Sequence, residues 1–276
     1  MMLASKRSIT TAARLIAGAT LTLVLGFAGP ASAGSIFLTG HDPDFHASLG
    51  GNATGARNIN TRAISFVQDP AFNPFFMGGV TKFLFVESRI SPPAGHTVGK
   101  NGILASGYTE GVHFDHHDAA TLNAALNQLG TVYSAIVVAS DFGGILTQAE
   151  LNILNSRNAD IIAFMNAGGG IYCMSEGNGG AGLTPGGGQL AFLPIAVSAP
   201  AVDQSEIGNT VTAYGASLGL TNADVNGNAS HIVFTAWGTL NVVDIDAAGR
   251  VLSVAGHDQI IAVEPTTWSG IKSLRK

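Results

Sequence analysis

Apolar residues in this chain gather into short runs punctuated by glycine, proline and asparagine, and the clearest run is YSAIVVAS at 133–140. A strand without a polar side is the mark of a parallel sheet covered on both faces. Thr147 and Glu150 then stand three apart ahead of a stretch with helical spacing, which predicts a capping box and a helix to about residue 166. Gly168, Gly169 and Gly170 stop it, and 171–174 begins another strand, so 133–174 reads as a βαβ unit.

The remaining pattern extends this unit in both directions. Strands are predicted at 35–39 and 82–87, with a helix at 61–67 halted before Asp69-Pro70, where proline excludes the α conformation from its predecessor. A Pro- and Gly-rich loop at 91–111 leads to a helix from Asp118 to Gly130. Prolines and glycines break the pattern from 183 to 200, inside a loop or lobe spanning about 177–230. Strands at 231–235, 240–246, 251–255 and 259–263, with a turn at 247–249, predict an antiparallel end to the sheet. The expected fold is one α/β domain over 34–276.

The first 33 residues are of a different kind. Lys6, Arg7 and Arg14 form a basic start, 15–28 is apolar, and Ala31-Ser32-Ala33 has the small-residue pattern of a cleavage site. Gly18, Thr20, Thr22, Gly26 and Pro30 interrupt the run, where a membrane span needs roughly 20 apolar residues. The expectation is a signal peptide removed after Ala33, a secreted or periplasmic protein and no stable membrane span. The rest carries 10 basic against 18 acidic residues, so phosphate backbones are repelled and no nucleic-acid partner is expected. Cys173 is the only cysteine, which excludes an internal disulfide.

The order of elements and the segment IVVASDFGGILTQAELNILNSRNADIIAFMNAGGGIYCMSEGNGG resemble the class I glutamine-amidotransferase-like superfamily, including its trehalose-utilisation-like branch. The resemblance is good over about residues 130–180 and loose over 35–265. It implies a flavodoxin-like, mostly parallel doubly wound sheet with an antiparallel C-terminal ribbon, and ligands at the carboxyl ends of its strands. It also implies a nucleophile on a turn written G-x-C-x-G. Ser175 aligns there, within Cys173-Met174-Ser175-Glu176-Gly177, with serine in place of cysteine and Cys173 in place of the first glycine. The family's His-Pro-Glu ending is absent, so the base stays open between His231 and His257. Ser175 and Glu176 are equally suited to capping the segment that follows.

Five of the eight histidines crowd into two short stretches with aspartates between them. His41, Asp42, Asp44 and His46 follow the first strand; His113, Asp115, His116 and His117 precede Asp118. Imidazole and carboxylate together ligate zinc, manganese or related metals, and the two stretches could close one ion, although turns and helix caps account for the same residues. Asp224-Val225-Asn226-Gly227-Asn228 has the first half of a calcium-loop spacing, or of an Asx-rich turn. The G-x-G-x-x-G match at 177–182 lacks a helix behind it, so no nucleotide is expected.

Together these features predict an exported hydrolase of an ester, lactone, amide or glycosidic bond in a small molecule. Its edge is expected at His41 to His46, Asp141 to Gly144 and Ser175 to Gly177, with Ser175 or a bound divalent metal producing the attacking oxygen. The alternative is a non-catalytic exported protein that binds a carbohydrate or an ion.

Overall fold

The apolar runs become strands. A computed structural model describes residues 34–91, 98–141, 144–174, 183–184, 188–202 and 206–258. Within them β1 (Gly34–Thr39), β2 (Lys82–Val86), β3 (Phe114–His117), β4 (Tyr133–Val138), β5 (Gly170–Cys173), β6 (Thr210–Val211), β7 (Asn241–Ile245) and β8 (Val251–Asp258) form a single sheet. Its order is β3-β2-β4-β5-β1-β8-β7-β6. The first five are mutually parallel, and β8, β7 and β6 continue the sheet antiparallel. Counting β2 first and β1 last, the parallel part has the flavodoxin-like order 2-1-3-4-5. The α/β fold and its antiparallel ribbon thus match the expectation from sequence.

Alternation along the strands explains the two-sided core. Phe37, Phe83, Phe85, Ala135, Val137 and Tyr172 face α2 (Ala53–Val67) and Ile103 of α4 (Lys100–Ala105). Ile36, Leu38, Leu84, Val86, Ile136 and Val138 face α6 (Gln148–Ser156) and α7 (Asn158–Asn166). Each fully buried large side chain contributes about 1.5–3 kcal/mol relative to exposure. The shorter helices are α1 (Pro43–His46), ahead of α2, then α3 (Pro74–Met77) and α5 (Leu122–Ala125), and later α8 (Ala213–Ser217) and α9 (Asn222–Val225).

Several boundaries differ from expectation for local reasons. The first long helix starts eight residues early, because Asn52 caps it by accepting the Gly55 N–H. The capping box at Thr147 and Glu150 forms, but the helix behind it breaks at Arg157. There the guanidinium reaches Asn123 and Asn127 and so ties the break to the short helical segment at 122–128. The helix expected after Asp118 shortens to α5 and one 3-10 turn. The stretch containing His116 is an edge strand, β3, and 231–235 joins its neighbours only through isolated bridges. Residues 259–263 lie outside the described residues. No helix among the described residues is long and apolar enough to cross a membrane.

A buried polar chain ties the segment after β1 to this frame. Tyr172 donates its hydroxyl to Asn60 Oδ1 at 2.9 Å. Asn60 in turn donates to the Pro43 carbonyl and to Ser106 Oγ, both at 3.1 Å. The short helix α1 is therefore held against α2 and α4 over the carboxyl ends of the central strands.

Candidate functional site

The chain turns out of β1 at Gly40, and its next six residues place four ionisable side chains in the interior: His41, Asp42, Asp44 and His46 are all buried. His41 Nδ1 lies 3.2 Å from the Asn228 carbonyl and Nε2 lies 2.9 Å from Asp244 Oδ2. Both partners only accept hydrogen bonds, so the ring satisfies them together as an imidazolium. Burial opposes that charge and the Asp244 carboxylate outweighs it, leaving the His41 pKa raised.

Asp42 sits between two more imidazoles. Its Oδ2 is 3.3 Å from His231 Nε2, and its Oδ1 is 3.3 Å from His46 Nε2. Burial would raise its pKa, but hydrogen bonding to His231 and His46 prevails and holds the carboxyl below the usual range. A carboxylate only accepts, so His231 donates from Nε2 in this contact. His231 reaches this place because its own backbone N–H donates to the Gly40 carbonyl at 2.7 Å. The segment before it is anchored in turn by Asn52, whose N–H donates to the carbonyl of Gly227 at 2.8 Å. Gly227 has φ +76, a left-handed conformation that favours glycine, and its missing Cβ would lie close to Asn52 Cβ at 3.0 Å.

Asp44 crosses to the end of β4. It accepts the Ser140 hydroxyl at 2.7 Å and the Ser140 N–H at 2.8 Å, and Ser140 Oγ accepts the Gly144 N–H. Glu87, directly after β2, accepts backbone N–H groups from Gly99, Lys100 and Ile145. A Cβ on Gly99 would lie 2.4 Å from Asp44 Oδ2 and 2.9 Å from Glu87 Oε1, which brings the two carboxyl groups together around one glycine. The chain leaves β2 toward β3 and returns to β4 on the other side, so the pair occupies the topological switch point of the parallel sheet.

Burial, and then the charge of Asp44, push Glu87 up to about 8; burial pushes Asp44 up to about 6. A raised carboxyl pKa means that the folded chain keeps a proton which the unfolded chain releases. The stability contributed by protonated Glu87 is therefore full below its ordinary value of 4.5 and falls as pH rises toward 8. Glu87→Gln removes this term. In urea titrations between pH 5 and 8, the wild type loses stability relative to the variant as pH rises, by at most about 1.4 kcal/mol per pH unit. A pH-independent difference between them contradicts the assignment.

The second histidine stretch does not close on the first. β3 and β1 are four steps apart in the sheet, roughly 19 Å at strand spacing. His113 accepts the Thr109 N–H at 2.9 Å, before β3 begins. Asp115 binds Lys82 and Tyr133, while His117 binds Thr121 and Tyr133. His116 alone turns toward the site, donating from Nε2 to the Glu87 carbonyl at 2.8 Å. Among the described residues no three His, Cys, Asp or Glu side chains group so as to hold a metal ion. The calcium-like spacing is spent locally: Asp224 accepts from Thr221, and Asn226 bonds both the N–H and the carbonyl of Asn209.

Of the other candidates, Asp141 is buried at the end of β4. His257 is in register with Ser35 at the amino end of β1, hydrogen-bonded to Ser35 Oγ and stacked on Phe66 and Phe72, far from the carboxyl edge. Ser175, Glu176 and the glycine run at 177–182 lie outside the described residues, as does the signal-like segment. Met174, the last residue described before Ser175, follows β5, and β5 pairs with β1 through Leu38 and Cys173.

Glu87, Ser140 and Asp244 are the members of this site that the sequence pattern did not single out. Each lay in a run read only as a strand: Glu87 in 82–87, Ser140 in 133–140 and Asp244 in 240–246. Comparison with family models, curated proteins and solved structures gives no match to the chain, so the functional reading rests on the geometry of this edge.

Proposed function

We propose that the protein is an exported hydrolase that cleaves an ester, lactone or amide bond of a small molecule, with Ser175 as nucleophile, His231 as general base and Asp42 as its orienting carboxylate. The observation that carries this reading is the contact between buried Asp42 and His231 beside the end of β1, the strand that neighbours β5. Ser175 comes two residues after β5 and takes the nucleophile's position in the amidotransferase-like resemblance. In the proposed reaction His231 Nδ1 removes the Ser175 hydroxyl proton as Oγ attacks the carbonyl carbon. The same proton then goes to the departing alkoxide or amine, and water releases the acyl group by the reverse sequence.

The test uses the mature protein from Gly34 and a fluorophosphonate probe, which labels activated serine hydroxyls. Labelling of the wild type, its loss in both Ser175→Ala and His231→Ala, and indifference to chelators support the reading. Undiminished labelling in Ser175→Ala, or hydrolysis abolished by a chelator, rejects it. The alternative, a non-catalytic carbohydrate- or ion-binding protein, draws on the burial of Asp42, at 1% exposure, and is supported by saturable binding of a sugar or ion without labelling.

A further inference from the structure

We infer that the protein binds an extended peptide of a partner protein, added as a strand along the outer edge of segment 197–201. Isolated antiparallel bridges join this segment to the run 231–236, through Ser198 with Ala236 and through Ala201 with Ile232. The bonds alternate along it. The Ser198 N–H donates to the Ala236 carbonyl at 2.9 Å, and the Ser198 carbonyl accepts from Thr235 at 2.8 Å. The Pro200 carbonyl accepts from Val233 at 3.1 Å, and the Val202 N–H donates to the His231 carbonyl at 2.8 Å. In an extended chain neighbouring residues face opposite sides, so Val197, Ala199 and Ala201 turn their backbone groups outward. None of those N–H or carbonyl groups is hydrogen-bonded among the described residues. A groove of about 270 Å³ runs along the segment, lined by Gln189, Val197, Ser198, Ala199, Pro200 and Ala201.

The chemistry of this edge selects the partner. Donor and acceptor pairs recurring at every second residue lie about 6.8 Å apart, which is the repeat of another extended chain. Gln189 adds an amide donor, because its Nε2 is buried without an acceptor. The lining carries no charged side chain, and short valine and alanine side chains leave the backbone within reach. Both features select an uncharged peptide held mainly through its main chain. Charge, proline or a covering loop blunts such edges in many proteins. Pro200 does not blunt this one, since its missing N–H belongs to the inner side. The inference goes beyond the proposed hydrolysis and meets it only where Val202 bonds the carbonyl of His231.

The experiment uses the mature protein carrying Ser175→Ala, so that its outcome is independent of hydrolysis. A phage-displayed library of random heptapeptides is selected on it, and the enriched sequence is synthesised and titrated by fluorescence polarisation. Saturable binding is expected, weakened roughly tenfold in Ala199→Pro, which removes one outward N–H and no internal bond. Methylating the peptide's amide nitrogens one at a time should weaken binding by a similar factor at alternate positions and leave the intervening ones unchanged. That series uses the unsubstituted edge, so it decides the matter if Ala199→Pro does not fold. No enriched peptide, full affinity in folded Ala199→Pro, or methylation effects without alternation overturns the inference. A concentration-dependent dimer that Ala199→Pro dissolves also overturns it, by giving the edge to a second copy of the chain.

Discussion

Asp42→Asn is expected to lower the rate of serine labelling, and of any hydrolysis it reports, by about three to four orders of magnitude while the chain stays folded. Asparagine has the same shape, so the space between His46 and His231 remains filled. What changes is the charge and the pattern of donors: an amide offers N–H where the carboxylate offered only acceptors. If the amide nitrogen faces His231, the imidazole rotates its proton to Nδ1 and loses the basic nitrogen on the side where the hydroxyl is proposed to approach. The loss should fall on kcat and leave KM nearly unchanged, since Asp42 is 1% exposed and so is shielded from substrate. Nitrogen-15 shifts of His231 offer a readout beside activity, because the wild type should show a protonated Nε2 and the variant a protonated Nδ1. Labelling at the wild-type rate with His231 unaltered would reduce Asp42 to a packing role.

How far this site could be read from the chain depends on the range of the interactions that build it. The capping box at Thr147, the buried strand at 133–138 and the turn before β8 are local, and local chemistry specifies them. His41, Asp42, Asp44 and His46 were visible as a cluster because they are consecutive. Their partners are distant: Asp244 lies 203 positions from His41, His231 lies 189 from Asp42, and Ser140 lies 96 from Asp44. No periodicity encodes such pairings; they follow from the strand order, in which β1 enters between β5 and β8. Composition also misled in one place. The imidazoles and carboxylate of Phe114-Asp115-His116-His117 suggested a ligand loop, yet Phe114 and His116 point inward and Asp115 and His117 outward, the alternation of an edge strand. A polar residue on the buried side hid the period of two.

The position of Asp44 depends on a glycine, and changing it should produce the largest loss of stability proposed here. Gly102 lies inside α4, where alanine is intrinsically better by about 1 kcal/mol, so helix propensity alone predicts that Gly102→Ala stabilises the protein. Packing predicts the opposite sign. A Cβ at this site would lie 1.9 Å from the Asp44 carbonyl oxygen and 2.6 Å from its carbonyl carbon. Both are backbone atoms of α1, so no side-chain rotation relieves the clash, and α4 and α1 must separate. Moving them strains the bonds from Asn60 to Pro43 and Ser106 and those from Ser140 to Asp44. Overpacking of a close-fitted interior costs about 1–3 kcal/mol, with the upper end expected where backbone must yield. Set against the gain in helix propensity, we therefore expect a net destabilisation of about 2 kcal/mol, read as a melting temperature lower by roughly 4–8 °C. Unchanged or increased stability would mean that α4 does not press on α1 as described. It would also remove the reason for placing Asp44 within reach of Ser140 and Glu87, because that close approach is what carries Asp44 across the end of β5 to the switch point between β2 and β4.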